Sequence, residues 1–148
     1  AAPDRDEMVY LESIRYSRRV AFRNVVSGQR VPMELTSLGR AYLATTSLPR
    51  RKSLYEAFKA RRRTQWPSLL TEIEEAIRSV HADGYCVASW QPEVVALAAP
   101  IATTEGHYSL NVSVSTVDST QSVVDALAGP LLDLHRQIAE AWSRRVEA

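Results

Sequence analysis

Between residues 85 and 116 three strand-like runs follow one another directly, at about 85–90, 94–102 and 107–116. They are rich in valine, alanine and leucine and are parted only by short polar turns. Connections that short pair strands antiparallel, because a parallel pair needs a crossover of a dozen residues or more. Two strand-like segments come earlier. In 8–16, Met8, Tyr10 and Glu12 alternate with Val9, Leu11 and Ser13; Val20–Val26 is ended by Ser27-Gly28. The order is strand, strand, three helices, three strands, helix. Grouped strands without regular βαβ alternation predict an α+β fold, with a largely antiparallel sheet of about five or six strands and helices packed against it.

The helices are read from period and punctuation. One spans about Ser37 to Thr45. Pro49 and the basic Arg50-Arg51-Lys52 predict a loop, and Leu54 and Phe58 a short amphipathic helix after it. Pro67 and Ser68 open the next, with Leu69, Leu70, Ile73, Ala76, Ile77 and Val80 at helical spacing and Gly84 as its stop. The last covers roughly 119–146 with the stripe Val124, Leu127, Leu131, Leu134, Ile138, Trp142 and Val146. Gly129-Pro130 is expected to kink or restart it.

The chain has 148 residues, enough for one domain with a real core. A net charge of +1 supplies no global field for nucleic acid or an anionic membrane. The clusters Arg50–Lys52 and Arg61–Arg63 are expected to be solvated, or to meet an acidic patch on a neighbouring subunit, without touching DNA. No run reaches the roughly 18 apolar residues of a membrane helix. Residues 1–7 are polar and charged and do not form a signal peptide. They are expected to be a disordered or cut linker, with the domain at 8–148. The single cysteine, Cys86, permits no internal disulfide and fits a cytoplasmic location.

Nothing frames a catalytic centre. His81, His107 and His135 have no second ligand at helical spacing, and Ser37 lies outside a Gly-x-Ser-x-Gly elbow. Cys86, after Tyr85 in a strand, reads as a small core residue. No catalytic residue, metal or cofactor is expected.

A helix start that fits either a ligand site or a plain capped helix lies in Arg30-Val-Pro-Met-Glu-Leu-Thr-Ser-Leu-Gly-Arg-Ala-Tyr-Leu-Ala44. Proline closes a strand, Thr36 and Ser37 are good helix caps, and Gly39, Ala41 and Ala44 are small. The unpaired N–H groups of such a helix start suit an anion or a polar ligand group. On β-strand spacing, Asn111 and Ser113 share one sheet face and present an amide and a hydroxyl to the same side.

This segment resembles the effector-domain signature of the IclR family of bacterial transcription regulators: a strand ending in Arg-x-Pro, a Ser/Thr-rich helix start, then Gly-Lys/Arg-Ala-x-Leu-Ala. Further matches follow in order. They are Met8-Val-Tyr-Leu-Glu-Ser-Ile14, then Glu72–Arg78 through Asp83-Gly-Tyr-Cys-Val87, then Ala96-Leu-Ala-Ala-Pro-Ile101 and Leu110-Asn-Val-Ser113. The resemblance runs over about 8 to 146. It implies a fold similar to GAF-type ligand sensors and a small-molecule effector, held by Thr36, Ser37, Leu38, Asn111 and Ser113. It implies self-association as a homodimer or tetramer, and DNA binding only through a winged helix-turn-helix domain absent from this chain. Where the family often carries an acidic residue and a cysteine, this chain has Ala88 and Ala96, and Trp90-Gln91-Pro92 replaces an acidic cluster. The resulting pocket is larger and more apolar, with Trp90 as one candidate wall, and suits a small organic acid, aromatic acids included. The competing readings are a purely structural oligomerisation module and an enzyme using Cys86 or Ser37.

Overall fold

The computed structural model describes residues 1–14 and 27–146. The elements are β1 (Ala2–Asp4), β2 (Glu7–Val9), β3 (Arg30–Pro32), α1 (Ser37–Thr45), α2 (Leu48–Arg61), α3 (Trp66–Asp83), β4 (Cys86–Ala88), β5 (Val94–Ala102), β6 (His107–Ser115) and α4 (Thr120–Val146). The strand expected at Val20–Val26 and the end of the one expected at 8–16 lie outside the described residues.

The fold is α+β with antiparallel strands, but its sheet differs from expectation. The strands form two three-stranded sheets, β1-β2-β3 and β4-β5-β6, instead of one sheet of five or six. Among the described residues, one backbone-bonded residue pair joins the two. Ala1 and Ser109 exchange backbone hydrogen bonds of 2.8 and 2.9 Å, the pattern of an antiparallel hydrogen-bonded pair. A single pair is a bridge and not a ladder.

Residues 1–7, expected as a linker, contain β1, which pairs with β2 through Ala2↔Val9, Pro3↔Met8 and Asp4↔Glu7. A three-residue strand with a central proline carries no readable period. β2 in turn stops at Val9, although Tyr10 still donates its N–H to the carbonyl of Gln29 at 2.9 Å.

The expected loop at Pro49 is the first turn of α2. Ser47 caps it by accepting from the N–H of Arg50 at 3.4 Å, and Pro49 sits where a missing N–H leaves nothing unsatisfied. α3 ends as its sequence specifies: Gly84 takes φ +86° and its N–H reaches the Val80 carbonyl at 2.9 Å. α4 passes through Pro130 without a break. Both Pro130 and Ala126, whose carbonyl loses its helical partner, are exposed, so water replaces that bond.

β5 is the central strand of its sheet and is covered on both faces. Ala98 joins Leu38, Ala41, Ile73 and Cys86 in the core beneath α1 and α3. Val95, Leu97 and Ala99 join Val123 and Leu131 beneath α4. The expected α4 stripe holds at Leu131 but not at Leu134, which is 47% exposed.

Candidate functional site

The start of α1 is built by close approach. A Cβ on Gly39 would lie 2.0 Å from the Met33 carbonyl oxygen, so only glycine lets the helix seat against the chain that leads into it. Thr36 caps the helix: its Oγ1 accepts from the N–H of Gly39 at 3.2 Å and donates to the Pro32 carbonyl at 2.9 Å. The N–H groups of Ser37 and Leu38 have no intrahelical acceptor. Thr36, Ser37 and Leu38 are all buried.

The lead-in is fixed by charge. Glu34 is fully buried and its carboxylate accepts from Arg61 and Arg62. Arg61 also donates to Asp6 at 2.6 Å, and that hydrogen bond holds the Asp6 carboxyl below the usual carboxylate range. Arg40 on α1 donates Nε to the Glu34 carbonyl at 3.0 Å and Nη2 to Glu72 on α3 at 2.9 Å. The second basic cluster is therefore not simply solvated. Two of its three arginines neutralise a carboxylate of their own chain.

Opposite the helix start lies one face of the β4-β5-β6 sheet. Pairing register puts Ala88, Ala96 and Ser113 in one cross-strand row, and Cys86, Ala98 and Asn111 in the next. Cys86 Sγ donates to the Ser37 carbonyl at 3.4 Å, which seats α1 over the second row. The fold thus brings Thr36, Ser37 and Leu38 to the face that carries Ala88, Ala96, Asn111 and Ser113. Trp90 follows β4 and lies outside the two cross-strand rows. It is 40% exposed and borders a small cavity of about 130 Å³ with Leu35, Arg40, Glu72 and Ser89.

Three partners escaped the sequence reading. Tyr10 is half-buried and its hydroxyl accepts from Asn111 Nδ2 at 3.4 Å; burial pushes the phenol up. Glu34 and Arg40 lie inside the motif, but only the tertiary fold shows what they bind. A larger cavity of about 520 Å³ opens at the other end of β5 and holds none of the expected site residues. Its Thr103 and Ser143 hydroxyls already donate to the Gly106 and Ala139 carbonyls, so they do not converge on a ligand.

The catalytic candidates have structural partners. Cys86 is buried, and burial pushes its thiol up to about 12, where it is no nucleophile at neutral pH. His81 and His135 hydrogen-bond the carbonyls of Ala44 and Pro100 at 3.0 and 2.8 Å, and His107 Nδ1 lies 3.3 Å from Thr45 Oγ1. Among the described residues no group of three His, Cys, Asp or Glu could hold a metal ion, and no helix is long and apolar enough to cross a membrane.

Comparison with known proteins agrees with this architecture. An IclR-family transcriptional regulator from Brucella abortus superposes with a TM-score of 0.85 at 26% identity, covering 95% of this chain and 54% of its own. A transcriptional regulator from Rhodococcus sp. RHA1 gives 0.76 at 24% identity, covering 94% and 58%. The inducer-binding domain of the PobR transcription factor from Acinetobacter, solved as a double mutant with 3-hydroxybenzoic acid, gives 0.67 at 20% identity, covering 93% and 84%. This chain spans little more than half the length of the first two proteins. No curated protein sequence matches it. The profile of the bacterial transcriptional regulator IclR C-terminal domain matches residues 1–140, and the chain belongs to that family.

Proposed function

We propose that this domain senses a small organic acid held between the start of α1 and the facing rows of β4, β5 and β6. The observation that carries the reading is the seating of Ser37 over the Cys86–Ala98–Asn111 row through the Cys86–Ser37 hydrogen bond. On this reading the helix N-terminus and the two polar strand side chains are the ligand's polar anchors. The N–H groups of Ser37 and Leu38 take the carboxylate, with Thr36 holding the helix start in place. Asn111 and Ser113 orient the rest of the ligand. Ala88 and Ala96 leave room for an aromatic body, and Trp90 stands at the entrance. The 3-hydroxybenzoic acid complex of the PobR domain, a fold neighbour, supports this ligand class.

In the full-length regulator the domain works in the cytoplasm as part of a homodimer or tetramer. Ligand binding biases one of two quaternary arrangements, and so the spacing of DNA-binding domains carried elsewhere in the protein. It does so only by binding the two arrangements unequally.

A thermal-shift panel of aliphatic and aromatic carboxylic acids tests the reading. A ligand at a hundredfold excess over Kd stabilises the native state by about 2.7 kcal/mol. The expected result is a saturable rise with one class of acid, reduced in Asn111→Ala. A flat response across the panel defeats the sensing reading and favours a module that only assembles subunits.

A further inference from the structure

The domain scarcely covers α2. Of its 14 residues only Leu54 and Phe58 are buried. Its other ties are polar: Tyr55 donates to Glu74, and Arg61 and Arg62 to Glu34. From Arg50 to Arg63 the chain carries seven Lys or Arg and one acid, Glu56, although its net charge is +1. Lys52, Lys59 and Arg63 are exposed and have no ion-pair partner among the described residues. Lys52 and Lys59 are two helical turns apart and so stand on one side of α2. Beside them run Ser53, Ala57 and Ala60, all short and all exposed.

The start of α4 carries the opposite charge. Between positions 118 and 133 the chain has three aspartates and no Lys or Arg. Asp133 pairs with Arg136 at 2.9 Å, while Asp118 and Asp125 are exposed and face no cation of the described residues at ion-pair distance. Beside Asp125 run Ser122, Ala126 and Gly129, also short and exposed, with the same spacing as Ser53, Ala57 and Ala60. A Cβ on Gly129 would meet nothing within 4 Å, so this side of α4 is open. Among the described residues no ion pair joins α2 to α4 within one copy. The two charges are left for a partner.

We propose that α2 of one copy of this chain docks against the first half of α4 of a second copy, with Lys52 and Lys59 facing Asp118 and Asp125. Each copy carries both surfaces, so the chain is complementary to itself. Packing α2 against α2 would instead set like charges together. The matched rows of short residues let the two helices approach to about 8 Å, which brings the flanking charges within reach of one another. The inference is independent of the ligand site and names where subunits meet.

Sedimentation equilibrium of this chain at about 0.05 M and about 0.5 M NaCl decides the matter. The native chain is expected to self-associate, and more weakly at the higher salt. The double variant Lys52→Glu with Lys59→Glu is expected to raise the dissociation constant at least about tenfold at low salt, and so is Asp118→Lys with Asp125→Lys. The fourfold variant carrying both reversals restores complementarity with the signs exchanged. It is expected to return to within about threefold of the native value. All four positions are exposed, so each variant is expected to keep the native circular dichroism spectrum. A native chain that stays monomeric at about 0.1 mM overturns the proposal. So does unchanged association in either double variant, or a fourfold variant that associates no better than the doubles. A Lys52→Glu, Lys59→Glu chain that associates normally but loses a native affinity for duplex DNA also overturns it, and makes nucleic acid the occupant of α2.

Discussion

Arg61 grips the carboxylate of Glu34 at two points, Nε to Oε1 at 3.1 Å and Nη2 to Oε2 at 3.0 Å. Arg62 Nε adds a third bond at 3.1 Å. The glutamate is fully buried, while the Arg61 side chain is 38% exposed and its guanidinium stands 5.8 Å from the ring centroid of Phe58. The pair fastens the end of α2 to the turn that launches α1. A buried carboxylate is tolerated only while it is paired, so the geometry of the helix start depends on residues 27 and 28 positions away.

Arg61→Ala leaves Glu34 with Arg62 alone. The expected loss is of the order of 3 kcal/mol in urea unfolding, with an unchanged m-value. Arg63→Ala, at an exposed neighbour in the same cluster, is expected to change stability by no more than about 0.5 kcal/mol. Equal effects at the two positions would contradict the clamp.

Gly39→Ala reverses the usual rule for helices. Propensity alone favours alanine by about 1 kcal/mol. Here the new methyl meets the Met33 backbone at 2.0 to 2.5 Å, and a carbonyl cannot swing aside like a side chain. A net destabilisation of at least about 2 kcal/mol is expected. A higher melting temperature for the variant would show that α1 has slack against its lead-in.

Cys86 is expected to resist alkylation at pH 8 and to react at the rate of the unfolded chain once denatured. Its folded pKa is raised by burial from 9.0 to about 12. Below pH 9 both states keep the proton and stability is unaffected. From pH 9 towards 12 the unfolded thiol ionises first, so stability falls as pH rises. Cys86→Ala should flatten that alkaline decline. Rapid, pH-dependent labelling of the native domain would instead revive the nucleophile reading.

Leu131→Ala and Leu134→Ala separate the two sides of α4. Leu131 is 3% exposed against the β5 face, and its truncation is expected to cost about 2–5 kcal/mol. Leu134 is 47% exposed, and its truncation is expected to stay within about 1 kcal/mol in the isolated domain. Thermal unfolding of both variants at low protein concentration makes the comparison.

The register of function along the chain was legible wherever chemistry is local. Thr36 caps the helix because a hydroxyl at that position reaches the N–H three residues on, and Gly84 stops α3 because glycine accepts positive φ. Asn111 and Ser113 share a face because strand side chains alternate. Local rules misled at Pro49, since proline opens helices as readily as it ends them. They misled again at Pro130, whose lost hydrogen bond falls on an exposed side of α4.

The sequence by itself determined the α+β class, the position and caps of α1, the antiparallel β4-β5-β6 meander and the family likeness. Each of these follows from period, punctuation or an ordered motif within a few tens of residues. Only the tertiary structure decided that Ala1 bridges to Ser109, that Glu34 is held by Arg61 and Arg62, that Tyr10 meets Asn111, and that Trp90 borders a cavity with Arg40 and Glu72. These are contacts between distant segments. Their partners are chosen by how layers pack and which buried polar groups find one another, and no local pattern encodes that choice.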